Sequence, residues 1–380
     1  MTHPLRILAP TRYPWTFNGP RASRHAISRR DFVPFNKLSA KIEGITLFNP
    51  LPVERFDLIH AFNRIPLGRT PYIIGFESHL PRGFGIEHTA FFRAMSQSLA
   101  GDRCRGIFAI SEYARRQCLH QHQHFPWYDA IQAKLAVRYP NLPMPEMVQD
   151  IRIENGPLRL LFVGNHFARK GGLVALRMAE LAHERGIPLQ LEIISALEVG
   201  AASWTDPLTP GYFEPYRALI QHLPNVTHHG ALPNAQVIAR VANAHFTLLP
   251  TFSDSFGFSA IESMAHATPV IATAQCALPE FITDGENGIL LPLTVDAQGE
   301  WADSGRGGRS SAIYAALYDA TVMELAQQAL ARIDTLMHAP PSYARMRERA
   351  RHTAQSMFAS SDANDFWDTQ YEKIMAAIRA

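Results

Sequence analysis

The sequence predicts an α/β protein of two successive doubly wound, parallel-sheet domains, and three observations carry that expectation. Short apolar runs alternate with longer amphipathic stretches, which suits strands buried on both faces and joined by crossover helices. The alternation breaks once, in YPNLPMPEMVQDIRIENG (139–156), where Pro140, Pro143 and Pro145 and a charged, turn-rich composition suit an interdomain linker, and then restarts. A chain of 380 residues with 47% hydrophobic and 18% charged content is long enough for two sizeable cores.

The elements follow in order. LRILAP (5–10), FDLIHAF (56–62), PYIIGF (71–76) and GIFAIS (106–111) are the expected strands of the first half. Past the linker come the strand LRLLFVG (158–164), a helix over 172–185, the strand PLQLEIIS (188–195), and a turn and helix leading to HFTLLP (245–250). TFSDSFGF then forms a loop, SAIESMAHA a helix and PVIAT (269–273) another buried strand. Ligands of such sheets gather beyond the carboxyl ends of the strands, so a site in the cleft between two domains is expected. SGRGGRSS (304–311) follows no strand and suits a surface loop rather than a phosphate cradle.

A net charge of +2 gives no reason to expect a nucleic-acid partner. The first forty residues nevertheless carry Arg6, Arg12, Arg21, Arg24, Arg29, Arg30 and Lys37 against Asp31 alone. Two readings stand, solvated Arg-rich turns or contact with phosphate or anionic lipid. Cys104, Cys118 and Cys276 make no C-x-x-C pair and are odd in number, which suits a reducing compartment and a cytoplasmic location. No apolar run approaches the roughly 18 to 20 residues of a spanning helix, so the expected membrane contact is at most peripheral, at the inner face. HQHQHF would align His120, His122 and His124 on one face of a strand, but it continues a helical pattern without cysteine or carboxylate partners, so no metal site is expected.

Two stretches carry chemistry. In LLFVGNHFARKGG a strand runs through Gly164 and Asn165 into Arg169, Lys170, Gly171 and Gly172 at a helix start. Close backbone approach at glycine, the helix dipole and two fixed cations together suit a diphosphate. In TFSDSFGFSAIESMAHA, Asp254 and Glu262 flank the bend Phe256-Gly257-Phe258. Glu262 completes an S-x-x-E capping box with Ser259 or serves a ligand; Asp254 makes a local Asx turn or serves a ligand.

FVGNHFARKGG, DSFGFSAIESMAHATPVIAT and CALPEFITDGENGILL, in that order, resemble the retaining GT-B glycosyltransferases of family four, over most of residues 105–295. The resemblance implies two Rossmann-like domains facing a cleft, 1–150 binding the acceptor and 151–355 the donor, with a final helix in 356–380 packing back on the first. It implies that Asp254, where a glutamate is usual, meets hydroxyls of the donor sugar, that Glu262 binds the ribose, and that the backbone of Ser255, Phe256, Gly257 and Phe258 approaches sugar and phosphate. Gly164, Asn165, Lys170 and Gly171 occupy a G-R-x-x-x-x-K-G pattern with Asn165 in place of the arginine, and Arg169 resembles an Arg-Lys-Gly variant that supplies the charge. Gly19 in TFNGP takes the place of the glycine loop near acceptor and phosphate, GIFAISEYARR that of a strand ending at a serine, and Glu77 or His79 that of a residue on the donor sugar.

The implied function is metal-independent transfer of a hexose, with retention of configuration, from a UDP- or GDP-sugar to a glycan or lipid-linked acceptor in bacterial surface polysaccharide synthesis. No cofactor is implied beyond that donor substrate. The alternatives are a nucleotide-sugar epimerase or phosphorylase of the same fold, or a degenerate, non-catalytic nucleotide-sugar-binding protein. The absence of G-x-G-x-x-G after any strand argues against a nicotinamide dehydrogenase.

Overall fold

The apolar runs become parallel strands in a computed structural model that describes residues 3–11, 15–33, 42–48, 54–154 and 156–380; Arg12 and Lys37 lie outside them. The chain divides into two units, Met1–Pro143 with Met357–Ala380, and Met144–Ser356.

The first unit contains β1 (Arg6–Pro10), α1 (Trp15–Asn18), β2 (Ala26–Arg30), β3 (Ile45–Thr46), β4 (Leu58–Phe62), β5 (Ile65–Pro66), β6 (Tyr72–Phe76), α2 (Ala90–Ala100), β7 (Cys104–Ala109), α3 (Glu112–His122), α4 (Tyr128–Gln132) and β8 (Leu135–Val137). Its main sheet has the order β2-β1-β4-β6-β7-β8, with every pair parallel. β4 and β6 are buried at every residue, as expected of central strands with both faces covered. At the end of β7, Ser111 accepts the Ala114 N–H and caps α3.

The second unit contains β9 (Leu158–Val163), α5 (Gly172–Glu184), β10 (Leu189–Ile194), α6 (Glu214–His222), β11 (Val226–His229), α7 (Asn234–Asn243), β12 (Phe246–Leu249), α8 (Phe258–Ala265), β13 (Val270–Thr273), β14 (Gly288–Leu291), α9 (Ala312–Met337) and α10 (Pro340–Phe358). Its sheet, β11-β10-β9-β12-β13-β14, is also parallel throughout. Leu158, Leu160 and Phe162 alternate along β9 and pack with Leu173, Leu176 and Met178 of α5 and Tyr318, Val322 and Leu325 of α9. The segment expected to be one turn and one helix holds α6, β11 and α7. β11 escapes sequence reading because VTHH is an edge strand with no apolar run.

The last helix, α11 (Ser360–Arg379), belongs to the first unit. Ala363, Trp367, Tyr371 and Met375 recur every four residues and so share one face of the helix. That face packs on Ile7, Leu58, Ile73 and Phe108 of the sheet.

Candidate functional site

In the second unit the chain runs outward from β9 through β10 to β11, then returns to place β12 on the other side of β9. The loops after β9 and β12 therefore leave the sheet side by side and splay toward different helices, the crevice where open α/β sheets hold ligands. All the expected donor-site residues of this unit lie on those two loops and the helices they enter.

Buried hydroxyls knot the loops together. The Thr251 hydroxyl donates to Arg169 O (2.8 Å), and Phe252 N donates to the same carbonyl (2.7 Å). Thr251 O in turn accepts from the hydroxyl of Thr273, at the end of β13, and from Gln275 Nε2. Gly171 is the close approach: its φ is +91°, and a Cβ there would overlap the Pro250 carbonyl.

This lacing brings Lys170 onto Asp254, Nζ to Oδ2, across 84 residues of chain. Asp254 is 7% exposed, so the ammonium partner is what makes burial of that carboxylate tolerable. Arg169 is also buried, and burial lowers its pKa. Its Nη1 donates to Ser253 O at 2.6 Å, and its guanidinium lies 4.4 Å from the Trp204 ring centroid. The charge of Arg169 is thus spent within the loop wall, and Lys170, with its side chain 21% exposed, is the cation nearer solvent.

Two helices begin beside this pair. α5 starts after Gly171, and α8 starts after Gly257 with φ +90°; neither has a side-chain cap. Their uncapped first turns present positive dipole ends, which with Lys170 suit an anion. A Cβ at Gly257 would lie 2.8 Å from Leu278 Cδ2 and 3.0 Å from Leu249 Cδ2, so that bend is closed to other residues by packing as well as by φ. The capping box at Ser259 and Glu262 does not form. The helix begins two residues earlier than the box requires, at Phe258, and its cap position is Gly257.

Glu262 lies on α8, half-buried, and lines a small cavity with Val163, Val237, Thr247 and Ser259. Asn165 is turned to a structural task, its Oδ1 accepting Ala196 N (3.3 Å) and its carbonyl accepting Glu198 N (2.9 Å). Gly164 is in close contact with the Lys170 stem, 3.3 Å from where a Cβ would stand. Ser255 is half-buried in the loop; Phe256 is buried against Phe281, with Phe258 beside it.

In the first unit Gly19 follows α1, and a Cβ there would overlap the Trp15 ring. Asn141, 1% exposed, fixes this turn by donating Nδ2 to Phe17 O and Gly19 O, each at 3.0 Å. Glu77 follows β6 and is clasped by Asn63, which donates Nδ2 to Oε2 and accepts the Glu77 N–H on Oδ1, both at 3.1 Å. Asn63 holds a left-handed φ of +59°, a conformation asparagine tolerates. His79 stands by Ser78 Oγ (3.2 Å) and edge-on to Phe84 (5.3 Å). Asn63 and Asn141 are missed by sequence reasoning, although an asparagine just past a buried strand, as in FDLIHAFN, is a signal for the first.

The N-terminal arginines have partners within the first unit, although of Arg6, Arg21, Arg24, Arg29 and Arg30 only Arg30 is buried. Arg24 reaches Asp365, Asp368 and Glu372 of α11 at 3.7, 3.8 and 3.1 Å. Arg6 and Arg30 share Glu54, Arg29 lies 4.9 Å from the Trp15 ring, and Arg21 donates to Asn141. Four of the five are exposed while making these contacts, as solvated Arg-rich turns would be. His120 and His122 are helical, on α3, and buried His122 places Nδ1 2.8 Å from Cys118 O. Arg309, from SGRGGRSS, donates to the carbonyls of Gly200, Ser203 and Asp206, and Ser311 caps α9.

Comparison with known proteins places this unit. Residues 157–304 match the family model "Glycosyl transferases group 1". The D-inositol 3-phosphate glycosyltransferase of Thermobifida fusca is 29% identical over 262 residues, covering 62% of this chain and 58% of that protein. The chain spans 36% of the length of the D-inositol 3-phosphate glycosyltransferase of an Arthrobacter species and 58% of that of the Thermobifida fusca protein. In solved structures, a glycosyltransferase from Rickettsia africae superposes with a TM-score of 0.62 at 14% identity, over 98% of this chain and 99% of that one. Anabaena HepE in complex with UDP and glucose gives 0.54 at 15% identity, over 83% and 78%. These likenesses show the fold, two parallel-sheet Rossmann-like units as in GT-B glycosyltransferases. The part of the chain that matches the group 1 glycosyl transferases is thus residues 157–304, the region whose crevice joins Lys170 to Asp254.

Proposed function

We propose that the protein transfers a hexose, with retention of configuration, from a nucleoside-diphosphate sugar to a glycan or lipid-linked acceptor, in the synthesis of a bacterial surface polysaccharide. The observation that carries this reading is the Lys170–Asp254 pair beside the uncapped N-termini of α5 and α8. The UDP and glucose bound by Anabaena HepE support a donor of the same kind, UDP- or GDP-linked. Residues 151–355 hold the donor and residues 1–150 the acceptor, with the Gly19 turn near acceptor and phosphate and Glu77 or His79 meeting the donor sugar.

Departure of the nucleoside diphosphate builds negative charge on its terminal phosphate. Lys170 and the helix-end N–H groups stabilise that charge more in the transition state than in the ground state, with Arg169 behind them. As the phosphate takes a share of Lys170, the Asp254 carboxylate becomes available to accept a hydroxyl of the sugar. The leaving phosphate oxygen receives the acceptor hydroxyl's proton on the same face, which yields retention without a protein nucleophile. Asp254 therefore positions, Glu262 holds the ribose, and the bend Ser255–Phe258 lets the backbone approach.

The test is a thermal-shift panel of UDP, GDP, ADP and their glucose conjugates, followed by product analysis with and without acceptor. A ligand at about 100 times its Kd adds about 2.7 kcal/mol of stability, enough to move the melting midpoint by several degrees. No shift with any nucleotide overturns the reading. Donor isomerised without any acceptor, or transfer only with free phosphate, points instead to the epimerase or phosphorylase alternatives, and binding with neither transfer nor donor hydrolysis points to the non-catalytic nucleotide-sugar-binding protein.

A further inference from the structure

The loop between β10 and α6 leaves one large ring in the open. Ser203, Thr205 and Asp206 are 3%, 1% and 0% exposed, whereas Trp204 between them is 59% exposed. The loop is built to hold that arrangement. The Arg309 guanidinium binds the carbonyls of Gly200, Ser203 and Asp206, the Asp206 carboxylate accepts Gly200 N at 2.9 Å, and the Tyr314 hydroxyl donates to Thr205 O at 2.5 Å. The ring itself is oriented: its Nε1–H donates to Ser253 Oγ at 3.2 Å, and the Arg169 guanidinium lies 4.4 Å from its centroid.

A fixed, solvent-facing indole beside an ion pair is a recognition element. Two angles place the ring, so it binds at low entropic cost, and its flat face matches the C–H face of a pyranose. We propose that Trp204 is the platform on which the donor's sugar ring stacks, so that it selects the sugar rather than the nucleotide. This rests on the glycosyl-transfer reading above. The sugar is favoured over the base because Ser253 adjoins Asp254, the residue assigned to sugar hydroxyls, while Glu262, assigned to the ribose, lies beyond the Gly257 bend on α8.

The experiment compares wild type, Trp204→Ala and Trp204→Phe by calorimetric titration with UDP, GDP and ADP and with the glucose conjugate of each. For whichever nucleotide binds, Trp204→Ala weakens the sugar conjugate by about three- to tenfold and leaves the nucleoside diphosphate within about twofold, while Trp204→Phe restores most of the loss. Equal weakening of both ligands assigns the ring to the base, and no weakening of either removes it from recognition; each outcome overturns the proposal. If wild type binds none of these probes, the glycosyl-transfer reading fails first, which keeps the two failures distinct. A melting midpoint of Trp204→Ala near that of wild type, expected for an exposed ring, separates lost binding from lost folding.

Discussion

Lys170 stands where a strand has ended and a helix is about to begin, and its charge is held on the nearly buried Asp254. Lys170→Ala is expected to lower kcat by about 100- to 1000-fold, the range for removal of one preorganised donor from developing charge. The variant stays folded, though less stable, because Asp254 loses the partner of its buried charge. Near-normal turnover in a folded variant removes Lys170 from the chemistry. A second prediction concerns His60, which is fully buried, bonded to the Tyr371 hydroxyl at 2.7 Å, and lowered by burial from 6.5 to about 3. The unfolded chain takes up a proton between those values that the folded first unit refuses. The stability His60 contributes is thus complete above about pH 6.5 and is lost as pH falls toward 3, by up to about 1.4 kcal/mol per pH unit. Urea midpoints at pH 7 and pH 5 are expected to differ less in His60→Leu than in wild type; equal differences sink the assignment.

Among the elements, the loop from Gly200 to Asp206 is held by two distant side chains, Tyr314 and, with most of the bonds, Arg309. Arg309 supplies its donors from 103 to 109 residues away. Arg309→Ala strands buried carbonyls and is expected to cost about 2 kcal/mol or more. Limited proteolysis is expected to cut first near Trp204 in that variant, and resistance equal to wild type argues against the clamp. Asp206 adds a pH term of the opposite sign to that of His60. Burial raises its carboxyl from 3.8 to about 6, so the stability it contributes is complete below about pH 4 and is lost as pH rises through 6. The central strands were legible as elements because burial on both faces leaves continuous apolar runs. β2 and β11 were not, since AISRR and VTHH lie at sheet edges, are only partly buried and carry no apolar run. The capping box failed for a related reason: S-x-x-E describes local bonding, and the tertiary fit of Gly257 against Leu249 and Leu278 set the helix start instead.

At the scale of the molecule, each unit is a parallel sheet closed by helices, and the first is incomplete until the end of the chain arrives. α11 covers Ile7, Leu58, Ile73 and Phe108, and its polar face clasps the turn after Gly19. Asn364 Oδ1 accepts Arg21 N and Ala22 N at 2.8 and 3.1 Å, and buried Asp368 accepts Arg24 N at 2.8 Å. Truncation after Phe358 therefore exposes an apolar sheet face and frees the Gly19 turn. The truncated protein is expected to aggregate or to bind a hydrophobic dye; a soluble, cooperatively melting product contradicts this role of α11.

The sequence alone determined the periodicities, hence two runs of buried strands and crossover helices, and the turns where glycine, lysine and acid cluster. These are consequences of local spacing, of burial on both faces and of backbone freedom at single residues. Which side chains meet was decided by tertiary structure. Lys170 reaches Asp254 only because β12 returns to the flank of β9, and Arg24 meets Asp368 only because the last helix lies against the first unit. Sheet order is set by packing across the whole core, and no local pattern encodes it.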